Sequence, residues 1–221
     1  MLSFYFDQLI LSLPFFLKGL GTTAAVSALS LAAGTAIGFV WGIARAMRVR
    51  VLKQVLGAWI DLVRGTPFLV QVFIIFFILP ELGIQLEAFP AAVIALTNLA
   101  ACFIAEIVAA GIAAVPAGQR EAATSTGLNW LQQLRWVILP QAMRVILPPL
   151  VGQYVLLIKD SSVVSAIGVV DVTRVGWLTV QRVPQGLLVF GLVALLYFAI
   201  CYPLVQLSSI LEKRMSSGYN R

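Results

Sequence analysis

The chain alternates between long stretches without a charge and short ones rich in Lys, Arg or Glu. From Gly19 to Ala44 no residue is charged, and about twenty residues rising about 1.5 Å each are enough to cross the hydrocarbon of a bilayer. Further apolar runs predict spans over about 65–80, 90–112, 145–170 and 183–211, the second of them closed by Pro80. The lipid core admits only helices or closed barrels, so unbroken runs of this length predict an all-α integral membrane protein with about five transmembrane helices. Residues 1–221 read as one transmembrane domain.

The intervals carry patterns of their own. Residues 1–17 are apolar and aromatic, with Asp7 but no basic residue before Lys18, which is the wrong charge order for a cleaved signal peptide and reads as an interfacial lead-in. Val51, Leu52, Val55, Leu56, Trp59, Ile60 and Val63 recur at three- and four-residue steps, which predicts an amphipathic helix along the membrane surface. Residues 117–126 and 128–138 have helix-forming composition, with Gly127 between them and Pro116 and Pro140 at the ends, so two short helices are expected. Asp171 to Arg182 is expected to form a loop, and the tail from Glu212 to fray. Gly34-x-x-x-Gly38 permits close helix packing. Trp41, Trp59, Trp177 and Tyr197 fall near span ends or in loops, as in an aromatic belt.

Composition sharpens the class. Hydrophobic residues make up 61% and charged residues 11%, with a mean hydropathy of +0.99, far from the roughly 25% charged of soluble domains. Cys102 and Cys201 lie far apart inside apolar runs and read as small buried hydrophobes, without disulfide or metal spacing. Histidine is absent, which excludes a histidine-based proton relay, serine triad or zinc site, and no metal site is expected. The net charge of +6 is spread between spans, so it orients the chain and does not mark a nucleic-acid partner. Ten basic residues (Arg45, Arg48, Arg50, Lys53, Arg120, Arg135, Arg144, Lys213, Arg214 and Arg221) fall on one side, against Lys18, Arg174 and Arg182 on the other. That bias puts the C-terminus in the cytoplasm and, with five spans, the N-terminus outside.

Glu121-Ala122-Ala123, three residues, Gly127, nine residues, Val137, one residue and Leu139-Pro140 form a pattern. It resembles the EAA loop of ABC importer permeases, whose consensus has isoleucine where Val137 stands. Lys18-Gly19-Leu20-Gly21-Thr22-Thr23, Arg64-Gly65-Thr66-Pro67 with Gln71, Ala105-Glu106 ahead of Gly111-Ile112, Val115-Pro116-Ala117-Gly118-Gln119 and Lys159-Asp160-Ser161-Ser162 are similar to the polar amino-acid branch of that family. Ala109 replaces a usual arginine, and Phe103 a usual tyrosine.

The resemblance implies a type I ABC importer in the bacterial inner (cytoplasmic) membrane. It would comprise two permease subunits, identical or paralogous, two cytoplasmic ABC ATPases, a periplasmic solute-binding protein and a polar amino-acid substrate. Segment 116–140 becomes the ATPase-coupling loop, with Glu121, Ala122, Ala123, Gly127, Val137, Leu139 and Pro140 as its residues. Glu121 then reads either as a docking charge or as a helix-dipole partner. The chain has no phosphate-cradling GxxxxGK[ST], so it is expected to be no enzyme and to hold no cofactor, ATP and Mg belonging to the separate ATPase. The loop 171–182 either meets the binding protein or is plainly solvated.

Lys159 and Asp160 would cost about 2.5–3.5 kcal/mol each facing lipid at mid-helix. Two readings stand. In one, Asp160 accepts a substrate ammonium, Lys159 meets a carboxylate and Ser161 or Ser162 adds a neutral hydrogen bond, with Thr97 and Asn98 as secondary cavity residues. In the other, the charges form an internal network, for instance Lys159 with Glu106. Asp61 and Arg64, three apart, are expected to pair. An autonomous secondary carrier or channel for amino acids is the competing function, against which no inverted repeat is evident.

Overall fold

The computed structural model describes residues 2–47 and 50–216; Arg48 and Arg221, both counted for orientation, lie outside the described residues. Among the described residues ten α-helices follow one another: α1 (Leu2–Ala46), α2 (Arg50–Gly65), α3 (Phe68–Phe73), α4 (Leu79–Glu81), α5 (Ala88–Ala113), α6 (Ala117–Ser125), α7 (Trp130–Gln133), α8 (Leu139–Asp160), α9 (Val172–Val180) and α10 (Gly186–Ser216). Single π-helical turns, Ile74–Ile78 and Leu134–Ile138, join α3 to α4 and α7 to α8. A 3-10 helix, Ser161–Ile167, continues α8. No strand occurs among the described residues. Four helices among the described residues are long and apolar enough to cross a membrane, and α2 with Phe68–Glu81 makes a fifth if the two are taken as one broken span.

Both π turns end on the isoleucine of the same tripeptide, Ile78-Leu79-Pro80 and Ile138-Leu139-Pro140. Proline has no N–H to give the carbonyl four residues back, and its ring crowds that carbonyl. Widening the helix by one residue before the proline relieves the clash without ending the helix. Pro148 and Pro149 likewise sit inside α8, and the Pro148 carbonyl also accepts from Ser208 Oγ at 3.2 Å.

Four of the expected boundaries move. The lead-in is no separate interfacial segment but the beginning of α1, and Leu9 and Phe16 are buried in an apolar core. The second half of the polar loop is no separate short helix, because α7 runs through the π turn into α8 and on to Ile167 as one unbroken helix. Residues 171–182 are not a loop, since α9 occupies most of them. Glu212 to Ser216 continues α10, while 217–221 lie outside the described residues.

The chain divides into two compact units. The first comprises residues up to Ala32, Thr66–Asn98 and Val155–Pro203. Its core joins Leu9 and Phe16 of α1 to Val172 and Val175 of α9, to Val183, and to Val189 and Val193 of α10. Gly19 lets α1 close on α9, for a Cβ there would stand 3.0 Å from the Asp171 backbone. Asp171 caps α9 by accepting from Arg174 N (2.8 Å) and, through its other oxygen, from the Tyr197 hydroxyl (3.2 Å). Thr23 Oγ1 accepts from Val172 N, and Tyr197 also bonds Thr173 (3.1 Å). Tyr197 is therefore part of an internal network and not of an aromatic belt.

The second unit comprises Ala33–Gly65, Leu99–Tyr154 and the chain from Leu204 on. Helices gain little from apolar contact when lipid is the alternative, so close approach of small residues carries their packing. A Cβ on Gly38 would meet Ile104 Cβ at 2.7 Å, and one on Gly42 would meet Val108 Cβ at 2.6 Å, so this face of α1 is pressed onto α5. Gly38 of the Gly34-x-x-x-Gly38 pattern thus serves packing within the chain. Gly111 packs α5 on Ile146 of α8 in the same way. Cys102 is fully buried here, as a small hydrophobe should be.

Candidate functional site

The polar segment after α5 is a clamped turn. Helix α6 ends in a Schellman motif: Gly127 is left-handed (φ +79°), its N–H donates to Thr124 O (3.0 Å), and Leu128 N donates to Ala123 O (3.3 Å). Two residues later Asn129 opens α7 with a capping box, its side chain accepting from Gln132 N while the Gln132 side chain accepts from Asn129 N. Gln133 bridges the turn by donating to Leu128 O (2.7 Å) and Thr124 Oγ1 (3.2 Å). Gly127 is consequently a fixed corner.

Three further contacts tie α6 to its neighbours. Arg120 donates to the Ile112 carbonyl at the end of α5. Gln141 of α8 donates to Gln119 (3.2 Å) and to Val137 O in the π turn (2.9 Å). Ala123 is buried on the inner face of α6, against the turn whose Leu134 and Ile138 are also buried. Glu121 and Ala122 are exposed on the outer face. Glu121 also lies beyond the first turn of α6, which holds no acidic residue, and dipole effects fade past one turn. Of its two readings, the exposed docking charge is the one this position favours. Val137 and Leu139 are half-buried and Pro140 is exposed, around the π turn that Pro140 induces.

In the same unit Glu106 receives two arginines. Arg45 of α1 and Arg64 of α2 both donate to its Oε2, the second at 3.2 Å. The Arg64 guanidinium also lies 5.4 Å from the centre of the Phe103 ring, a cation–π contact that tyrosine would not improve. The expected Asp61–Arg64 pair is replaced by this cluster, because Glu106 offers Arg64 a partner across helices together with an aromatic face. Glu106 is thereby occupied by two arginines of its own unit. Arg45 ends one hydrophobic run and Glu106 interrupts another, a signal that was available but named no partner.

All six polar residues expected near a substrate lie in the first unit. Lys159 and Asp160 end α8 where it tightens into the 3-10 helix, which Gly168 stops with φ +94°. Lys159 is exposed and Asp160 half-buried. Ser161 is buried and its hydroxyl donates to Ile158 O (2.7 Å), so it fastens the junction, whereas Ser162 stays partly accessible. On α5, Asn98 is half-buried, and Thr97 Oγ1 is shut off from solvent with no hydrogen-bond partner among the described residues. Sequence reasoning missed the Asp171–Tyr197 pair. Asp171 followed by buried Val172, Val175, Gly176 and Thr179 does carry the cap and spacing of a helix.

Long apolar helices, a clamped polar corner and charges at helix ends define a multi-pass membrane protein of transport type. The family of binding-protein-dependent transport system inner membrane components matches residues 34–217, and the chain belongs to it. It is 38% identical over 203 residues to a probable amino-acid ABC transporter permease protein, YckA, of Bacillus subtilis (strain 168), covering 92% of this chain and 90% of that one. It is 35% identical over 206 residues to the glutamine transport system permease protein GlnP of Escherichia coli (strain K12), covering 92% and 94%. Among solved structures, an amino acid ABC transporter crystallised with histidines superposes with a TM-score of 0.85 at 33% identity, covering 93% of this chain and 96% of that one. The protein is an ABC importer permease of the polar amino-acid branch, as the EAA-like loop and the motifs accompanying it implied.

Proposed function

We propose that this chain is the membrane-spanning subunit of an ATP-driven importer for polar amino acids in the bacterial inner membrane, with its N-terminus periplasmic and its C-terminus cytoplasmic. The single observation that carries the reading is the clamped corner at Gly127. Helix α6 is held to α5 through Arg120 and to α8 through Gln119, so a push on its exposed Glu121–Ala122 face is delivered to two membrane helices together. A floppy linker would dissipate it.

In this reading two cytoplasmic ATPases hold ATP and Mg and dock on α6, and this chain holds no cofactor of its own. A second permease, identical or paralogous, completes the pathway, and a periplasmic binding protein delivers the solute. Asp160 takes the substrate ammonium, Lys159 its carboxylate, and Ser162 a neutral hydrogen bond. Thr97, with its unsatisfied hydroxyl, and Asn98 line the same path. Spans follow the helices, with α2 laid along the inner membrane surface, where its exposed Val51, Val55 and Trp59 face lipid.

The experiment is co-purification. The tagged chain should bring down its ATPase from solubilised membranes, and Glu121→Arg should abolish this while leaving membrane insertion intact. Undiminished recovery of the ATPase with Glu121→Arg would overturn the docking assignment.

A further inference from the structure

The second unit holds an open cavity of about 610 Å³, lined by Arg45, Arg50, Lys53, Arg120 and Glu106, with Ala109 on its wall. Glu106 is shared between Arg45 and Arg64, which leaves Arg50, Lys53 and Arg120 without a counter-charge among the described residues. Arg120 gives Nη2 to the Ile112 carbonyl, while its Nε is shut off from solvent with no hydrogen-bond partner among the described residues. Arg50 and Lys53 stand in the first turn of α2, which contains no acidic residue. Cations there oppose the helix dipole as well as one another, so the site is electrostatically unfavourable until an anion enters it.

We propose that this cavity is a binding site for a phosphate group, with Arg50, Lys53 and Arg120 as its ligands. A single carboxylate would leave most of the excess positive charge unmatched. A phosphate offers more oxygens to two planar guanidinium forks and an ammonium. The group can come from an anionic phospholipid or from free phosphate. The lipid source agrees with the exposed apolar Val51 and Val55 on α2, which place acyl-chain-compatible surface on the helix that carries Arg50 and Lys53.

The test uses the intact complex, purified and relipidated either with phosphatidylcholine alone or with added phosphatidylglycerol. Native mass spectrometry counts retained lipid, and thermal unfolding in phosphatidylcholine is followed with and without inorganic phosphate. Arg50→Gln/Lys53→Gln should retain roughly tenfold less phosphatidylglycerol than the parent, whereas the charge-matched Arg144→Gln/Arg182→Gln should retain the parental amount. Lipid retention without a phosphate effect identifies the lipid as the source. Stabilisation of the parent, and not of Arg50→Gln/Lys53→Gln, by inorganic phosphate identifies the free anion. Equal lipid retention and equal phosphate response in parent and variant would overturn the proposal, and so would loss of only the ATPase from the variant, which would assign these cations to the protein partner.

Discussion

Gln133 donates its side-chain amide to Thr124 across the corner between α6 and α7, 3.2 Å from Nε2 to Oγ1. With the Schellman turn on one side and the capping box on the other, this contact converts a polar interruption of an apolar chain into a clamped corner. The corner depends on the left-handed Gly127, where nothing lies within 4 Å to clash with a side chain. Gly127→Ala should cost about 1–2 kcal/mol through backbone strain alone and should lower coupled transport. Gly118→Ala, on an equally open helical position of the same element, should stabilise α6 by about 0.5–1 kcal/mol. Thermal unfolding and ATP-driven uptake of the two variants, side by side, check this. Equal behaviour would remove the corner from the mechanism.

The α1–α5 contact is set by sterics. A Cβ at position 42 would stand 2.6 Å from Val108 Cβ and 2.8 Å from the Ala105 carbonyl, neither of which is the end of a flexible chain. Gly42→Ala should destabilise the protein by about 1–3 kcal/mol through forced separation of the helices. A melting temperature in detergent equal to the parent's would contradict the packing described.

Asp171 lies outside the spans, and burial pushes its carboxyl above the usual carboxylate range. Hydrogen bonds from the Arg174 and Thr173 N–H groups and from the Tyr197 and Thr173 hydroxyls work in the opposite direction. A raised native value means that the folded chain holds the proton more readily than the unfolded one. Its stabilising contribution is therefore complete below the ordinary value of about 3.9 and is lost as pH climbs through the native value. Over that window the parent should lose stability relative to Asp171→Asn, measured by thermal unfolding at each pH. Parallel pH profiles would sink this assignment.

Substrate recognition is tested at Asp160. If its carboxylate accepts the ammonium, Asp160→Ala should abolish or alter substrate-dependent transport while the complex still assembles and its ATPase still docks. Unchanged affinity and rate in vesicles would return Asp160 to a purely structural role.

Much of this was readable before the structure. Charge-free runs gave the long helices, and the Glu121 to Pro140 spacing located the corner, because apolar length and glycine punctuation are local signals. What escaped was tertiary. No local pattern says that Arg64 will leave Asp61, three residues away, for Glu106 on another helix, since that choice depends on how α1, α2 and α5 come together. The nine residues of α9 are too few to form a span and read as a loop in sequence, although Asp171 announces a cap. The fusion of α7 with α8 was hidden by Pro140, which reads as a helix end in sequence and is absorbed by a π turn in the fold.

The central claim is that this chain conducts only when an ATPase drives it, and the most direct measurement is uptake of labelled polar amino acids into proteoliposomes. The chain reconstituted alone should give none. The same vesicles containing the partner ATPase, second permease subunit and binding protein should concentrate substrate only when ATP is supplied to the ATPase side. Uptake by the chain alone, with an ion gradient and no ATPase, would contradict the account and make it an autonomous carrier.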